Sequence, residues 1–359
     1  MEPQRQEYFA GISDGVVIDG RNGSDRGFLP NGHSHALTKA VRVVSGTLPP
    51  MTNGTKMAQR DMDGDSSDEH APRLNPKPAY SVLQKLRTIT IGAGFSGMIF
   101  AHKLRYEHPE MEQIVDNTIY EARSEVGGTW LVNTYPGVQC DVPSHIYAFP
   151  FDPSPDWDRF YSTGPQIQEY IVRTVKKWDL DRDVQFNTRV VGLYWQEELS
   201  QWKVTVEHDG KQHDEYADVV ISGQGFLNTW QWPRIPGLQE FEGHKIHSAA
   251  WDHSFDPTNK QIAVIGNGSS GVQILPQMAK AEGTQVISFQ RGPTWIVSRM
   301  DPGKLLGKSN IGSNPVYTEE DKRKFRLDRE SHHQYRRKLI HNINKAFRMV
   351  CTRETHASR

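Results

Sequence analysis

Two short apolar runs organise the chain. Thr88, Ile89, Thr90 and Ile91 form the first, and Ile262, Ala263, Val264 and Ile265 the second. Each has the length and the β-branched content of a buried strand. Each leads directly into a glycine-rich turn: Gly92-Ala93-Gly94-Phe95-Ser96-Gly97 and Gly266-Asn267-Gly268-Ser269-Ser270-Gly271. Each turn opens a stretch that reads as helix. Strand, turn and helix in that order are the setting in which G-x-G-x-x-G binds a dinucleotide. The glycines permit a tight turn and let backbone approach a pyrophosphate, which then sits on the helix N-terminus. Two such units predict two bound dinucleotides.

The residues downstream separate the two sites. After the first turn, the short strand Thr118-Ile119-Tyr120 ends in Glu121, an acid placed to accept hydrogen bonds from ribose hydroxyls. After the second, the strand Val286-Ile287-Ser288-Phe289 ends in Gln290-Arg291. An acid there would repel a ribose 2′-phosphate, whereas Arg pairs with it. The first site therefore reads as FAD or NAD and the second as NADP. Between the two units lie strand-like runs over 189–195, 202–207 and 218–222, with a turn at His208-Asp209-Gly210-Lys211 that supports a hairpin-like meander. The third run ends in Gly223-Gln224-Gly225, small enough for close approach to a cofactor. The order βα, meander, βα predicts an α/β fold of two Rossmann-like dinucleotide-binding domains, the second inserted into the first.

Composition adds limits. Residues 1–78 are rich in Gly, Asp, Asn, Ser and Pro and lack periodicity, so they read as a disordered polar leader. The first nucleotide domain is expected over 79–230 and the second over 231–314. A helical segment follows over 315–350, opened by Thr318-Glu319-Glu320-Asp321, with Tyr335, Leu339, Ile343 and Phe347 on one face. Residues 351–359 read as a polar tail. With 42 Lys and Arg against 43 Asp and Glu, nothing pulls the chain toward nucleic acid. Two cysteines, Cys140 and Cys351, exclude a disulfide framework and suit a reducing compartment. No apolar run has transmembrane length and no signal peptide is evident, so a cytoplasmic protein is expected. The histidines at 332, 333 and 341 lack a convincing metal spacing.

Three further segments carry chemistry. Gly127-Gly128-Thr129-Trp130 offers a backbone that can pass under a ligand and an indole that can wall a flat ring. In Tyr135-Pro136-Gly137-Val138-Gln139-Cys140-Asp141-Val142-Pro143-Ser144 one acid follows a turn inside an apolar run, which fits either a turn cap or an acid tuning a cofactor. The third segment, residues 241–252, holds Phe241, Gly243, His247, Trp251 and Asp252. These five match F-x-G-x-x-x-H-x-x-x-W-[P/D] at every defined position. With the two glycine turns on either side, the chain resembles the Baeyer–Villiger monooxygenases, and especially fungal members of secondary metabolism, from Leu86 to Val350.

The resemblance implies a function and a set of roles. NADPH would deliver hydride to FAD, and one atom of molecular oxygen would be inserted beside a ketone carbonyl to give an ester or lactone. Gly92, Gly94, Phe95, Ser96 and Gly97 would hold the FAD pyrophosphate, Glu121 its ribose, and Val190 would meet the adenine. Thr129, Trp130, Leu131 and Val132 would line the flavin, with Tyr147 in a following flavin-contacting stretch. Asp141, next to Gln139 and Cys140, matches the family's acid beside the flavin and nicotinamide and is the expected catalytic residue. Gly266, Gly268, Ser269, Ser270 and Gly271 would hold the NADPH pyrophosphate, with Gln290 and Arg291 at its 2′-phosphate. His247 and Trp251 belong to the segment that couples the domains, so His247 is not assigned as a general base.

The chain also departs from that pattern. The family's catalytic Arg has no counterpart, since Arg299, Arg323 and Arg326 lie too early. Nothing after Arg291 resembles the return segment that completes the FAD domain. Gln139 stands where many members have Arg. The expectation is a C-terminally shortened member with an incomplete FAD domain and weak FAD retention. Alternatives are an amine or sulfide oxygenase on the same scaffold, disfavoured by Trp251-Asp252, and a nucleotide-binding remnant without turnover. A disulfide reductase would need a redox partner near Cys140, and an aromatic hydroxylase would lack the second glycine turn.

Overall fold

A computed structural model describes residues 16–19, 85–227, 229–292 and 300–354. In chain order the elements are β1 (Val16–Asp19), β2 (Leu86–Ile91), α1 (Phe95–His102), β3 (Val115–Tyr120), the single turn α2 (Thr129–Val132), α3 (Gly164–Lys177), β4 (Val184–Gln185), β5 (Thr188–Gln196), β6 (Gln201–His208), β7 (Lys211–Ala217), β8 (Val219–Ser222), β9 (Lys245–His247), β10 (Gln261–Ile265), α4 (Ser269–Met278), β11 (Gln285–Phe289), α5 (Pro302–Leu306), α6 (Glu319–Leu327) and α7 (Arg329–Glu354). Both expected strand–turn–helix–strand units are present. The first sheet runs β4-β3-β2-β8 with every pair parallel. In β2 the residues from Thr88 to Ile91 are all buried, as a central parallel strand covered on both faces requires.

Helix α3 covers one face of that sheet. Thr163 and Gln166 form a capping box at its start, and Pro165 stands in its first turn. Its buried positions Ile167, Tyr170, Ile171, Thr174 and Val175 follow helical spacing. They share a core with Ala93, Met98, Ile119 and Phe149. Covering each of the large aliphatic and Phe side chains among them stabilises by about 1.5–3 kcal/mol, so the first glycine turn rests on a packed core.

The meander differs from the sequence expectation in its third strand. The sheet is β5-β6-β7, antiparallel throughout. The β6–β7 turn has Asp209 at φ 48° and Gly210 at φ 72°, the two-residue left-handed turn that the Asp-Gly pair predicts. The third strand is Lys211–Ala217 rather than the run over 218–222. Its residues are polar and mostly exposed, an edge strand with no apolar period to read. Val219–Ser222 instead joins the first parallel sheet beside β2.

The second sheet runs β11-β10-β1-β9. β10 and β11 are parallel, in register from Gln261 opposite Gln285 to Ile265 opposite Phe289. β1 lies antiparallel to both β10 and β9. The polar leader therefore contributes a strand. Averaged over 78 residues its composition is that of a loop, but Val16-Val17-Ile18 is a local β-branched run, and backbone pairing to two neighbours suffices to order it. The rest of the leader lies outside the described residues.

The helical segment also departs from expectation, being two helices rather than one. α6 opens on Thr318, whose hydroxyl accepts from the Asp321 amide while Asp321 reaches back to the Thr318 amide. The break falls at Asp328, whose carboxylate accepts from the Ser331 amide and so caps α7. Leu339 is buried with Phe160, Tyr161 and Leu305, and Tyr335 and Ile343 pack on the same cluster. The apolar stripe thus docks the segment; the side chain of Phe347 lies outside the described residues. α7 continues to Glu354, into the expected tail. No helix among the described residues is long and apolar enough to cross a membrane.

Candidate dinucleotide sites

The two glycine turns share one construction. Gly92 and Gly266 close the strands at φ 95° and 106°, where a side chain would be strained. The last glycine of each turn lies under the first. A Cβ on Gly97 would overlap the Gly92 carbonyl oxygen outright, and one on Gly271 would sit 2.5 Å from the Gly266 oxygen. Close packing of helix on strand thus depends on both. Gly94 and Gly268 stand at the N-caps of α1 and α4, neither with a side-chain cap and neither helix with an acid in its first turn. The first-turn amides are left for an anion.

A cavity of about 590 Å³ opens above the first turn, within the range of small-molecule sites. Of the residues expected to hold FAD, Gly92, Gly94, Phe95, Ser96, Glu121, Thr129, Trp130, Tyr147 and Val190 line it. Gly97 lies beneath the turn, and Leu131 and Val132 share α2 with two lining residues. Glu121 is 4% exposed; its Oε2 accepts from the Ala93 amide at 2.7 Å and its Oε1 from the Arg123 amide at 2.9 Å. The carboxylate fixes the turn, and each oxygen keeps a lone pair for a ribose hydroxyl. Trp130 Nε1 donates to Tyr147 Oη at 2.9 Å, and Phe95 stands edge-on to Tyr147. Burial pushes the Tyr147 hydroxyl up and the Trp130 bond partly offsets it, so this wall stays neutral. The uncapped α1 amides, the buried Glu121 carboxylate and the aromatic wall are the donor, acceptor and apolar groups that a dinucleotide needs.

The Gly223-Gln224-Gly225 triplet at the end of β8 lines the cavity, as its small residues predict. Phe226 and Leu227, which follow it, and Thr188 and Arg189 from the start of β5 line it too, without a motif in the sequence to mark them; Arg189 has only its neighbour Val190 as a pointer. Gln139, Cys140 and Asp141 do not line the cavity. Asp141 is exposed; burial raises the Tyr135 and Tyr147 hydroxyls, and Asp141 lies close enough to add a small push in the same direction.

The residues expected for the second site stand at the start of α4 and just past the end of β11. Gln290 and Arg291 are exposed immediately after β11. None of Gly266, Gly268, Ser269, Ser270, Gly271, Gln290 or Arg291 lines the first cavity. The segment 241–252 wraps this unit. Phe241 packs with Leu238 on Ala263 and Ile265 of β10, and Trp251 packs with Ile246 and Val264. Gly243 lies between Phe241 and β9. His247, 1% exposed, accepts from the Ala249 amide through Nδ1 and stacks on Trp230 at 4.3 Å. Asp252 accepts from the Ser254 amide and hydroxyl, bonds that hold its carboxyl below the usual range, and pairs with His244 at 3.1 Å. Phe241, His247, Trp251 and Asp252 therefore act as packing and turn-forming groups.

Comparison with known proteins agrees with this construction. The flavin-binding monooxygenase-like family model matches residues 85–304. The FAD-binding monooxygenase tazF of Aspergillus terreus is 43% identical over 289 residues, covering 80% of this chain and 51% of that protein. A Baeyer–Villiger monooxygenase of Pseudomonas aeruginosa is 36% identical, covering 64% of this chain and 42% of the other. Among solved structures, closed cyclohexanone monooxygenase superposes with a TM-score of 0.55 at 29% identity, over 69% of this chain and 43% of that one. Oxidised steroid monooxygenase bound to NADP gives 0.54 at 30% identity, over 68% and 43%. The chain spans about half the length, or less, of the curated relatives it matches. From its two glycine turns to the segment between them, the chain belongs to the flavin-binding monooxygenase-like family.

Proposed function

We propose that the chain binds FAD in the first site and NADPH in the second, and serves a monooxygenase that inserts one oxygen atom of O2 beside a ketone carbonyl to give an ester or lactone in fungal secondary metabolism. The observation that carries this reading is the pair of uncapped helix N-termini over glycine turns, joined by the segment 241–252. Relatives named as Baeyer–Villiger and FAD-binding monooxygenases support it.

The chain's own residues then have defined tasks. The α1 N-terminus and Ser96 bind one pyrophosphate, and Glu121 accepts from a ribose hydroxyl. Trp130 and Tyr147 exclude water from one ring face. Ser269 and Ser270 open α4 for the second pyrophosphate, and Arg291 with Gln290 takes the 2′-phosphate. Asp141 supplies a negative charge near the meeting point of the nucleotides. Bound flavin supplies hydride acceptance and oxygen activation.

The test is a titration of the purified chain with FAD, followed by NADPH oxidation with a ketone panel under ¹⁸O2. One labelled oxygen in an ester product is expected. N-oxide or S-oxide products without ester would transfer the chain to amine or sulfide oxygenation. Binding of both nucleotides without product would leave it a binding role alone.

The second assignment has its own test. Arg291→Ala is expected to weaken NADPH binding by about 10- to 100-fold, the ~1.5–3 kcal/mol of hydrogen bonds to a charged group, and to leave NADH binding nearly unchanged. Equal weakening of both nucleotides in paired fluorescence titrations would place the 2′-phosphate elsewhere.

A further inference from the structure

The turn over residues 135–138 belongs by sequence to the first nucleotide unit but sends Tyr135 and Val138 into the core of the second. Tyr135 and Val138, 6% and 8% exposed, pack with Ile246, Ile262, Val264, Ile274 and Met278. Gly137 holds the turn at φ 84°, and a Cβ there would come 2.8 Å from Gln277 Cγ and 3.0 Å from the Gln273 carbonyl oxygen. The turn therefore lies directly on one face of α4, across positions four residues apart.

Gln273 grips it there. Its Oε1 accepts from the Tyr135 hydroxyl at 3.0 Å and from the Gln139 amide at 3.2 Å. Its Nε2 donates to the Gln139 carbonyl at 2.9 Å. One side-chain amide thus satisfies both backbone groups of Gln139, as a neighbouring strand would. On its other side the segment is bonded into the first unit: Gln139 Nε2 donates to the Tyr161 carbonyl, the Cys140 amide donates to the Ser162 carbonyl, and Gln139 bridges Thr163. Asp141 follows two residues later. Gln273 stands two residues beyond Gly271, and the Tyr135 hydroxyl also meets the Ser270 side chain.

We propose that Gln273 is a positioning residue that clamps the Gln139–Asp141 backbone to the helix carrying the second glycine turn, and so sets the distance between the two nucleotides. This rests on the two-nucleotide reading above. Hydride transfer requires reacting atoms about 3–3.5 Å apart, and a misplacement of about 1 Å costs on the order of 100-fold. A clamp that joins one nucleotide's helix to the other's acid-bearing segment by three hydrogen bonds has the geometry to hold that distance.

Three variants test it: Gln273→Leu, which removes every bond of the clamp; Gln273→Glu, which keeps the acceptors but sets a carboxylate against the Gln139 carbonyl; and Tyr135→Phe, which removes one of the three clamp bonds together with the contact to Ser270. The first readout is hydrogen exchange of the Gln139–Asp141 amides without nucleotide. About tenfold faster exchange confined to that segment is expected for Gln273→Leu, with smaller increases for the other two. The second readout is the rate of flavin reduction at saturating NADPH, expected to fall about 10- to 100-fold for Gln273→Leu while FAD affinity stays within about threefold. Unchanged exchange overturns the clamp, and so does an increase spread over the whole chain, which marks a general structural role. Should Gln273→Leu not fold, the Gln273→Glu and Tyr135→Phe pair reads the same local exchange. An unvaried chain that binds no NADP+ sinks the functional reading alone, because the exchange comparison needs no nucleotide.

Discussion

Gly97→Ala is expected to weaken FAD binding by about 10- to 100-fold while leaving NADP+ binding within about threefold. The added Cβ would overlap the Gly92 carbonyl oxygen, and that neighbour is backbone rather than a side chain that can rotate away. Relief requires α1 to move off the end of β2. Overpacking of this kind costs about 1–3 kcal/mol, and the displacement falls on the helix N-terminus that would meet a pyrophosphate. Gly92 is itself held, its amide donating to the Tyr120 carbonyl at 2.8 Å. The strand end therefore cannot simply swing aside. Gly271→Ala makes the mirror experiment. Its Cβ would stand 2.5 Å from the Gly266 oxygen, so NADP+ affinity should fall at least about tenfold with FAD binding spared. Titration of each variant with each nucleotide reads both effects. Loss of both nucleotides in either variant would mean that the two turns are not independent seats. Retained FAD in Gly97→Ala would move the pyrophosphate away from α1. Ser96→Ala, at an exposed position on the same turn, serves as the mild comparison and should weaken FAD only by the value of one hydrogen bond, about 0.5–1.5 kcal/mol.

The parts of the fold legible in sequence are those whose cause is local. A β-branched run, a glycine turn and a helix lie within about 20 residues of one another, and each constrains its neighbours. Both units followed from that pattern alone, and so did the Asp209-Gly210 hairpin. What escaped depends on partners far away in the chain. Lys211–Ala217 is a strand because β6 offers it a backbone edge, and its own side chains are polar. Val16–Asp19 is a strand because β9 and β10 stand on either side of it. The break between α6 and α7 was readable in principle from Asp328 followed by Ser331, but the steady spacing of Tyr335, Leu339 and Ile343 masked it.

The candidate site divides in the same way. Glu121 was readable because a strand end places it, and it does meet the first glycine turn. Arg189 reaches the same cavity from an element that no motif marks. Asp141 was assigned by resemblance, and its link to the second unit passes through the Gln139 backbone to Gln273, a neutral side chain that no chemistry-bearing motif singles out.

Acid should loosen the α6–α7 pair before it unfolds the nucleotide units. His145 follows closely after Asp141 and is fully buried, and its Nδ1 lies 2.8 Å from His332 Nε2 on α7. Tyr317, Phe325 and Tyr335 close round His145, the two tyrosine hydroxyls bonded to each other at 2.7 Å. Arg336 donates to the His145 carbonyl, and its charge opposes a proton on either imidazole. His333 opposes one on His332, and Asp156 favours it weakly. Burial is the largest cause for both. It depresses His332 from 6.5 to about 4 and holds His145 well below its ordinary value. Below the unfolded value of 6.5 the unfolded chain binds the protons that the folded chain refuses, so stability is lost as pH falls from 7 toward 4. His332 alone accounts for about 2 kcal/mol of that loss at pH 5, and His145 adds to it in the same direction. Denaturant melts at pH 7.5 and pH 5, followed by tryptophan fluorescence, measure the slope. His332→Gln keeps a polar partner for His145 but does not titrate, so its stability should depend on pH by about one proton less between pH 5 and 6. An identical slope in the variant would show that the imidazole pair carries no part of the acid sensitivity. A reduced slope with faster amide exchange confined to residues 319–345 at pH 5 would locate the response where α6 and α7 meet the segment that follows Asp141.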